Sequence, residues 1–283
     1  MARGRYFTDS PWALLPSARF GVADALVKDP PPLAVSGGVL EVRGEVAVVP
    51  VHGVIFPRGD VMGGVGLDRL GRHVRALASD DRIGAIVLDI DSPGGSVAGV
   101  TELAALLREA REQKPLVAVA NHTMASAGYW IGAQATTVVA SPSARVGSVG
   151  VYSMHTDISA ALEREGVRHT LVSAGEFKTE GNHLEPLDND ALEQIQATVD
   201  EAAAMFHADL ALGRNVGPAK VAERFGGGRM FGADGARAAG MIDRVATLDE
   251  TINWLGYFHS PKSAATRKRY RAAERALRVG RAR

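Results

Sequence analysis

Between residues 45 and 213, short and nearly continuous apolar runs alternate with stretches in which apolar residues recur every third or fourth position. The run EVAVVPVHGVI at 45–55 is rich in β-branched residues and predicts a strand. GLDRLGRHVRALASD at 66–80 sets Leu67, Leu70, Val74 and Leu77 on one face of a helix. IGAIVLDI at 83–90 is apolar almost throughout, as expected of a strand covered on both faces. The same reading predicts a helix over 96–113 with Ser96 as its N-cap, a strand over 115–121, a helix over 125–135 and a strand over 137–141. A helix over 157–166, a strand over 168–175 and a long helix over 188–213 follow. Strand–helix alternation of this kind implies parallel βαβ units and an α/β fold.

The flanks break the pattern. Residues 1–28 read as an irregular arm, and DPPPLAVSGG at 29–38 is a Pro/Gly breaker cluster. The expected organisation is an arm and linker over 1–38, one domain over 39–257 and a basic tail over 258–283. The formal net charge of zero hides this division: from Ser260 onward nine Lys/Arg face Glu274 alone, so a tail of +8 balances a body of −8. Such a tail is either a solvated end or an appendage with its own partner, nucleic acid among the candidates. The absence of cysteine excludes disulfides, thiolate chemistry and Cys-ligated metal. No uncharged apolar run of about eighteen residues occurs, so no membrane helix is expected, and the chain reads as cytoplasmic.

Two segments carry candidate chemistry. In LDIDSPGGSVAGV at 88–100, Gly94 and Gly95 sit where a buried strand turns toward a helix. Paired glycines there let backbone amides approach a phosphate or an oxyanion, although a tight turn alone has the same pattern. No Gly-Lys-Ser/Thr follows, and the three-glycine dinucleotide fingerprint is missing, so the turn is neither a P-loop nor a dinucleotide site. No cofactor and no metal are expected for this chain. In HTMASAGYW at 122–130, Ser126 stands at a strand-to-helix junction, the end of a parallel sheet where α/β enzymes bind ligands. A serine there is either a helix cap or a nucleophile, and a nucleophile needs a base. His155 with Asp157 is one option and Lys178 the other. The 32 basic residues include only six lysines. A lysine, unlike an arginine, can become a neutral amine when poorly solvated. His52 and His122 flank the motifs and read as structural or groove-lining.

Taken together, IDSPGGSV, MASAGYWIGAQATTVVASPSARVGSVGV and GEFKTEG resemble the signal peptide peptidase A family of serine proteases over residues 45–250. That resemblance implies a Clp protease/crotonase-like fold of repeated β-β-α and βαβ units with a mostly parallel sheet. It implies Ser126 as nucleophile, Lys178 as general base and then acid, and Ser148 as the residue that orients the lysine. It places the oxyanion on the Ala127 amide and on Gly95 or Gly94. Ala127 departs from the glycine many relatives have there, without blocking the amide. A neutral Lys178 requires poor solvation, no carboxylate paired to it, and an extended local backbone that points Glu176 and Glu180 away.

The arm SPWALLP further resembles the soluble phage head maturation branch of the family. That branch implies an oligomeric ring acting on extended polypeptides, with scaffold, portal or capsid proteins as partners and the procapsid interior as a location. The alternatives are a cytosolic protease degrading peptides, a crotonase-like acyl-CoA enzyme using the same glycine amides, and an inactive assembly protein.

Overall fold

A computed structural model of the protein describes residues 11–14, 40–58 and 64–259. In chain order its strands are β1 (Trp12–Leu14), β2 (Glu41–Arg43), β3 (Val46–His52), β4 (Ile55–Phe56), β5 (Val65–Gly66) and β6 (Ala85–Ser92). They continue with β7 (Gly94–Ser96), β8 (Leu116–Ala125), β9 (Thr137–Ala140), β10 (Arg145–Gly147), β11 (Met230–Gly232) and β12 (Arg244–Val245). The helices are α1 (Leu67–Ser79), α2 (Val100–Gln113), α3 (Ala127–Gly132) and α4 (Ser159–Arg164). After them come α5 (Asn189–Arg214), α6 (Pro218–Arg224), α7 (Ala233–Ala239) and α8 (Leu248–His259).

The main sheet is a mixed, mostly parallel one built on β3, β6 and β8. Along its first half β8 pairs with β9, and at its last three residues with β10, both parallel. Alternate residues of the three central strands serve two cores. Ala47, Val49, Val51, Ile86, Leu88, Ile90, Leu116, Ala118 and Ala120 join the cluster that holds α1, α2 and α5. Val46, Val48, Ala85, Val87, Val117 and Val119 pack on Ile252 and Leu255 of α8. Cover on both faces is why these strands are apolar at nearly every position. A second, four-stranded sheet runs in the order β1-β7-β4-β5 beside the carboxyl ends of the parallel strands.

Four expectations change. Ser96 lies in β7, where its hydroxyl accepts the Ala98 N–H; the helix starts at Val100 behind Gly99, whose φ of 86° suits only glycine. β8 runs on to Ala125, four residues past the expected end, because β10 pairs with Thr123–Ala125. Residues 168–175 form no strand: they lie exposed with no flanking strand to pair with, and β-propensity without a partner does not make a strand. Within the arm expected to be irregular, Trp12–Leu14 is a buried strand; the rest of 1–39, and the basic tail from 260, lie outside the described residues.

Candidate active site

The turn from β8 into α3 places Ser126 at the carboxyl end of the parallel sheet. Its φ and ψ of 53° and −119° are a conformation that L-residues avoid, at a cost of about 1–3 kcal/mol. The strain is fixed from both sides: the Ser126 N–H donates to Gly147 O (2.8 Å), and Ser126 O accepts the first helical bond from Trp130 (2.8 Å). The side chain makes no capping bond. Its Oγ is buried and without a hydrogen-bond partner. Small residues around it have packing reasons. A Cβ on Gly128 would lie 3.2 Å from Ser92 Cβ, and one on Gly132 would lie 2.6 Å from Met124 Sδ.

Ser148 sits one step beyond the register pair Ala125–Gly147, as Ser126 does on the neighbouring strand. It too has a positive φ, 55°, held by its N–H donating to Arg229 O (2.9 Å). Gly94 reaches the same point: a Cβ on it would lie 2.8 Å from Ser126 Cβ. The Gly94 N–H, however, donates to Ser92 Oγ (3.1 Å), which in turn donates to Gly53 O (2.7 Å). Gly95 is central in β7, between Ala13 of β1 and Ile55 of β4. Ala127, the first residue of α3, is buried next to Ser126. The structure thus gathers Ser126, Ala127, Ser148, Gly94 and Gly95.

It does not bring Lys178 to them. Lys178 stands exposed on an arm over residues 152–187, in a turn where its N–H donates to Gly175 O (3.3 Å). Two of the conditions set for it therefore change, since its surroundings are solvent and its backbone is a turn and not extended. Among the described residues no ion pair joins it to Glu176 or Glu180. His155 and Asp157 make no triad with Ser126. The His155 ring pairs through Nε2 with Asn182 O (2.9 Å), and Asp157 Oδ1 accepts the Ser159 N–H at the start of α4 (2.8 Å). Hydrogen bonding from the Ser159 side chain, and then from its backbone N–H, holds the Asp157 carboxyl below its usual range.

Sequence reasoning missed the polar network that holds α3 in place. Trp130 stacks on Phe206 at 4.2 Å between centroids, and its Nε1 donates to Asp209 Oδ2 (2.8 Å). Arg108 Nη1 donates to Asp209 Oδ1 (2.9 Å) and to Gln134 Oε1 (2.7 Å). The Tyr129 hydroxyl donates to Met241 O (2.9 Å). These partners come from α2, α5 and the segment after α7, so no local pattern announces them.

His52 and His122 line the same end of the sheet. His52 Nε2 pairs with Asp89 Oδ2 (3.0 Å), while His122 Nδ1 lies 3.5 Å from Asp91 Oδ2. The bond to Asp89 raises the His52 pKa, with burial opposing it. A pKa raised by folding adds stability below the ordinary imidazole range, and that stability is lost as pH rises through the folded value. Thermal melts of His52→Gln should therefore fall furthest below wild type near about pH 5.5 and converge on it near about pH 9. A difference that is constant with pH would contradict the pairing.

Among the described residues there is no cluster of three or more His, Cys, Asp or Glu able to hold a metal. None of their helices is long and apolar enough to cross a membrane. Comparison with known proteins then decides the family, because its sequence profile matches residues 108–257, more than half of the chain. The chain belongs to peptidase family S49. The S49 match spans Ser126, Ser148 and Lys178, and membership supports a serine-peptidase function. Among curated S49 relatives, capsid assembly protease C of Escherichia phage lambda is 35% identical over 170 residues, covering 59% of this chain and 39% of its own. Protease 4 of Salmonella typhi is 29% identical over 210 residues, covering 74% of this chain and 34% of its own. The chain thus spans less than half the length of these relatives, which include both phage and bacterial proteins. Among solved structures, a ClpP1 mutant from Listeria monocytogenes aligns with a TM-score of 0.45 and 13% identity, over 72% of this chain and 92% of that one. The expected signal peptide peptidase A relationship holds at the level of family S49.

Proposed function

We propose that the chain is a serine endopeptidase in which Ser126 attacks the scissile carbonyl and Lys178 takes its proton, later passing it to the leaving amine. The observation that carries this is Ser126 itself, a buried hydroxyl without a partner on a strained strand-to-helix turn. A fold keeps two locally unfavourable features at one residue where function needs them. Ser148, the neighbour in register, orients the lysine amine. The oxyanion rests on the Ala127 amide and on a glycine of the turn, Gly95 or Gly94; the Gly94 N–H is bonded to Ser92 Oγ, and Gly95 is paired with Ala13 of β1.

Lys178 reaches this site only when the arm that carries it is covered. The arm exposes Leu171, Val172 (93%) and Phe177 (65%) around the lysine, an apolar surface that favours assembly with further copies of the chain. Such cover supplies the poor solvation a neutral amine needs. Likeness to a capsid assembly protease supports a finer reading, in which the substrates are extended segments of phage scaffold, portal or capsid proteins.

Hydrolysis of unfolded casein tests the choice of base. Lys178→Ala and Lys178→Arg should each lower kcat by about 10²–10⁴-fold, the usual contribution of a general base. His155→Ala should stay within about twofold of wild type, since His155 is engaged with Asn182. An active Lys178→Arg enzyme would remove the lysine from the mechanism.

A further inference from the structure

The edge of β7 nearest Ser126 is occupied by the chain itself. Trp12, Ala13 and Leu14 pair antiparallel with Ser96, Gly95 and Gly94. On its other side the same segment pairs with Tyr152: Trp12 N–H donates to Tyr152 O (2.9 Å), and Tyr152 N–H donates to Trp12 O (3.1 Å). Pro11 O accepts the Val97 N–H (3.4 Å), which extends the pairing by one residue. The three-residue strand is thus clamped between β7 and the chain that follows Ser148.

Side chains fill the slot in an apolar–small–apolar order. Trp12 and Leu14 are buried against Phe56, with Val54 and Tyr152 beside them, while Ala13 points into the main core. The Ala13 carbonyl lies next to the serine. A Cβ built on Gly94 would be 2.1 Å from Ala13 O and 2.8 Å from Ser126 Cβ, so both crowd the same side of one glycine. A substituent at 94 would collide with this segment and the serine at once.

We infer that Pro11–Leu14 is an intrasteric strand: it occupies the slot an extended substrate must enter, and the enzyme is held back until the strand is displaced. The inference rests on the reading of Ser126 as nucleophile. An extended polypeptide binds by pairing its main chain with exposed strand edges and setting alternate side chains into pockets. Here β7 and Tyr152 are the two edges, and one slot cannot pair two strands. Because the blocking segment is part of the same chain, it competes at an effective concentration on the order of millimolar. A free peptide must therefore carry the same apolar–small–apolar pattern, or arrive as part of a larger contact, to win the slot.

The test has a kinetic arm and a binding arm. In the full chain, Trp12→Ala/Leu14→Ala should lower the KM for casein by about tenfold or more with little change in kcat. The peptide TDSPWALLPS, residues 8–17, should inhibit that variant competitively, and a scrambled peptide should not. The binding arm uses Ser126→Ala protein with its arm intact, so it depends on neither turnover nor the stability of the double variant. Saturating casein should speed hydrogen exchange at the Trp12 amide, while the Tyr152 amide, which the substrate's main chain then pairs, and those of β3 and β6 stay protected. The inference is overturned if Trp12 stays protected with casein bound, if the folded double variant keeps the wild-type KM, or if mass spectrometry finds wild-type protein cut between residues 11 and 15. That last outcome would make the segment a substrate. Failure of the nucleophile reading has a separate sign, casein hydrolysis that persists in Ser126→Ala.

Discussion

Alanine in place of Ser126 is expected to lower the turnover of unfolded casein by about 10⁴-fold or more, the scale seen when a nucleophile acting as one unit with its base is removed. Stability should move the other way or not at all. A serine that caps a helix costs about 0.5–2 kcal/mol when changed to alanine. Ser126 makes no capping bond, and its buried hydroxyl lacks a partner, a situation that costs about 1–3 kcal/mol. Glycine at this position should stabilise further, because φ of 53° with ψ of −119° strains any residue with a Cβ. Turnover and thermal melts of Ser126→Ala and Ser126→Gly therefore separate the two roles a serine in this setting can have. A nucleophile gives dead enzymes as stable as wild type or more so; a cap gives a destabilised protein with activity in proportion to the folded fraction.

The sequence was most legible where an element is decided by its own residues. The apolar runs of β3, β6 and β8 and the three-to-four spacing of α1 announce a two-sided parallel sheet with helical cover, and the structure has it. Ser126 and the paired glycines were legible because glycines and small residues mark tight turns, and Ser148 only through the family resemblance; the three turns meet at one sheet end. Legibility fails where the partner is distant in the chain. TLVSAG has the composition of a strand and no strand beside it. Trp12–Leu14 is too short to show a period, and its strand character comes from β7 and Tyr152, roughly eighty and one hundred and forty residues away. The Lys178 arm is exposed for the same kind of reason: nothing in GEFKTEG says what covers it.

Buried charge was the least legible of all, and it carries the largest expected change in stability. Arg214 is 1% exposed at the end of α5. It grips Asp243 through two bonds, Nη2 to Oδ1 (2.7 Å) and Nη1 to Oδ2 (3.1 Å), and it also donates to Gly240 O. Asp243 Oδ2 accepts the Val138 N–H as well (2.8 Å), so this pair ties α5 to β9 and to the chain just before β12. Asp243→Ala leaves a guanidinium in the core without its carboxylate, a loss of about 3–5 kcal/mol. For a chain of this size that lowers Tm by roughly 6–20 °C. The double change Arg214→Met/Asp243→Leu should recover most of it, because the pair's attraction largely offsets its own desolvation and removing both charges leaves neither one unpaired. Calorimetry on the three proteins checks this, and a double variant no more stable than Asp243→Ala would refute it. Activity per folded molecule should survive Asp243→Ala, since Ser126 is held by Gly147 and Trp130 and not by this pair. That is the converse of Ser126→Ala: one change removes stability and spares the chemistry, the other removes the chemistry and spares the fold.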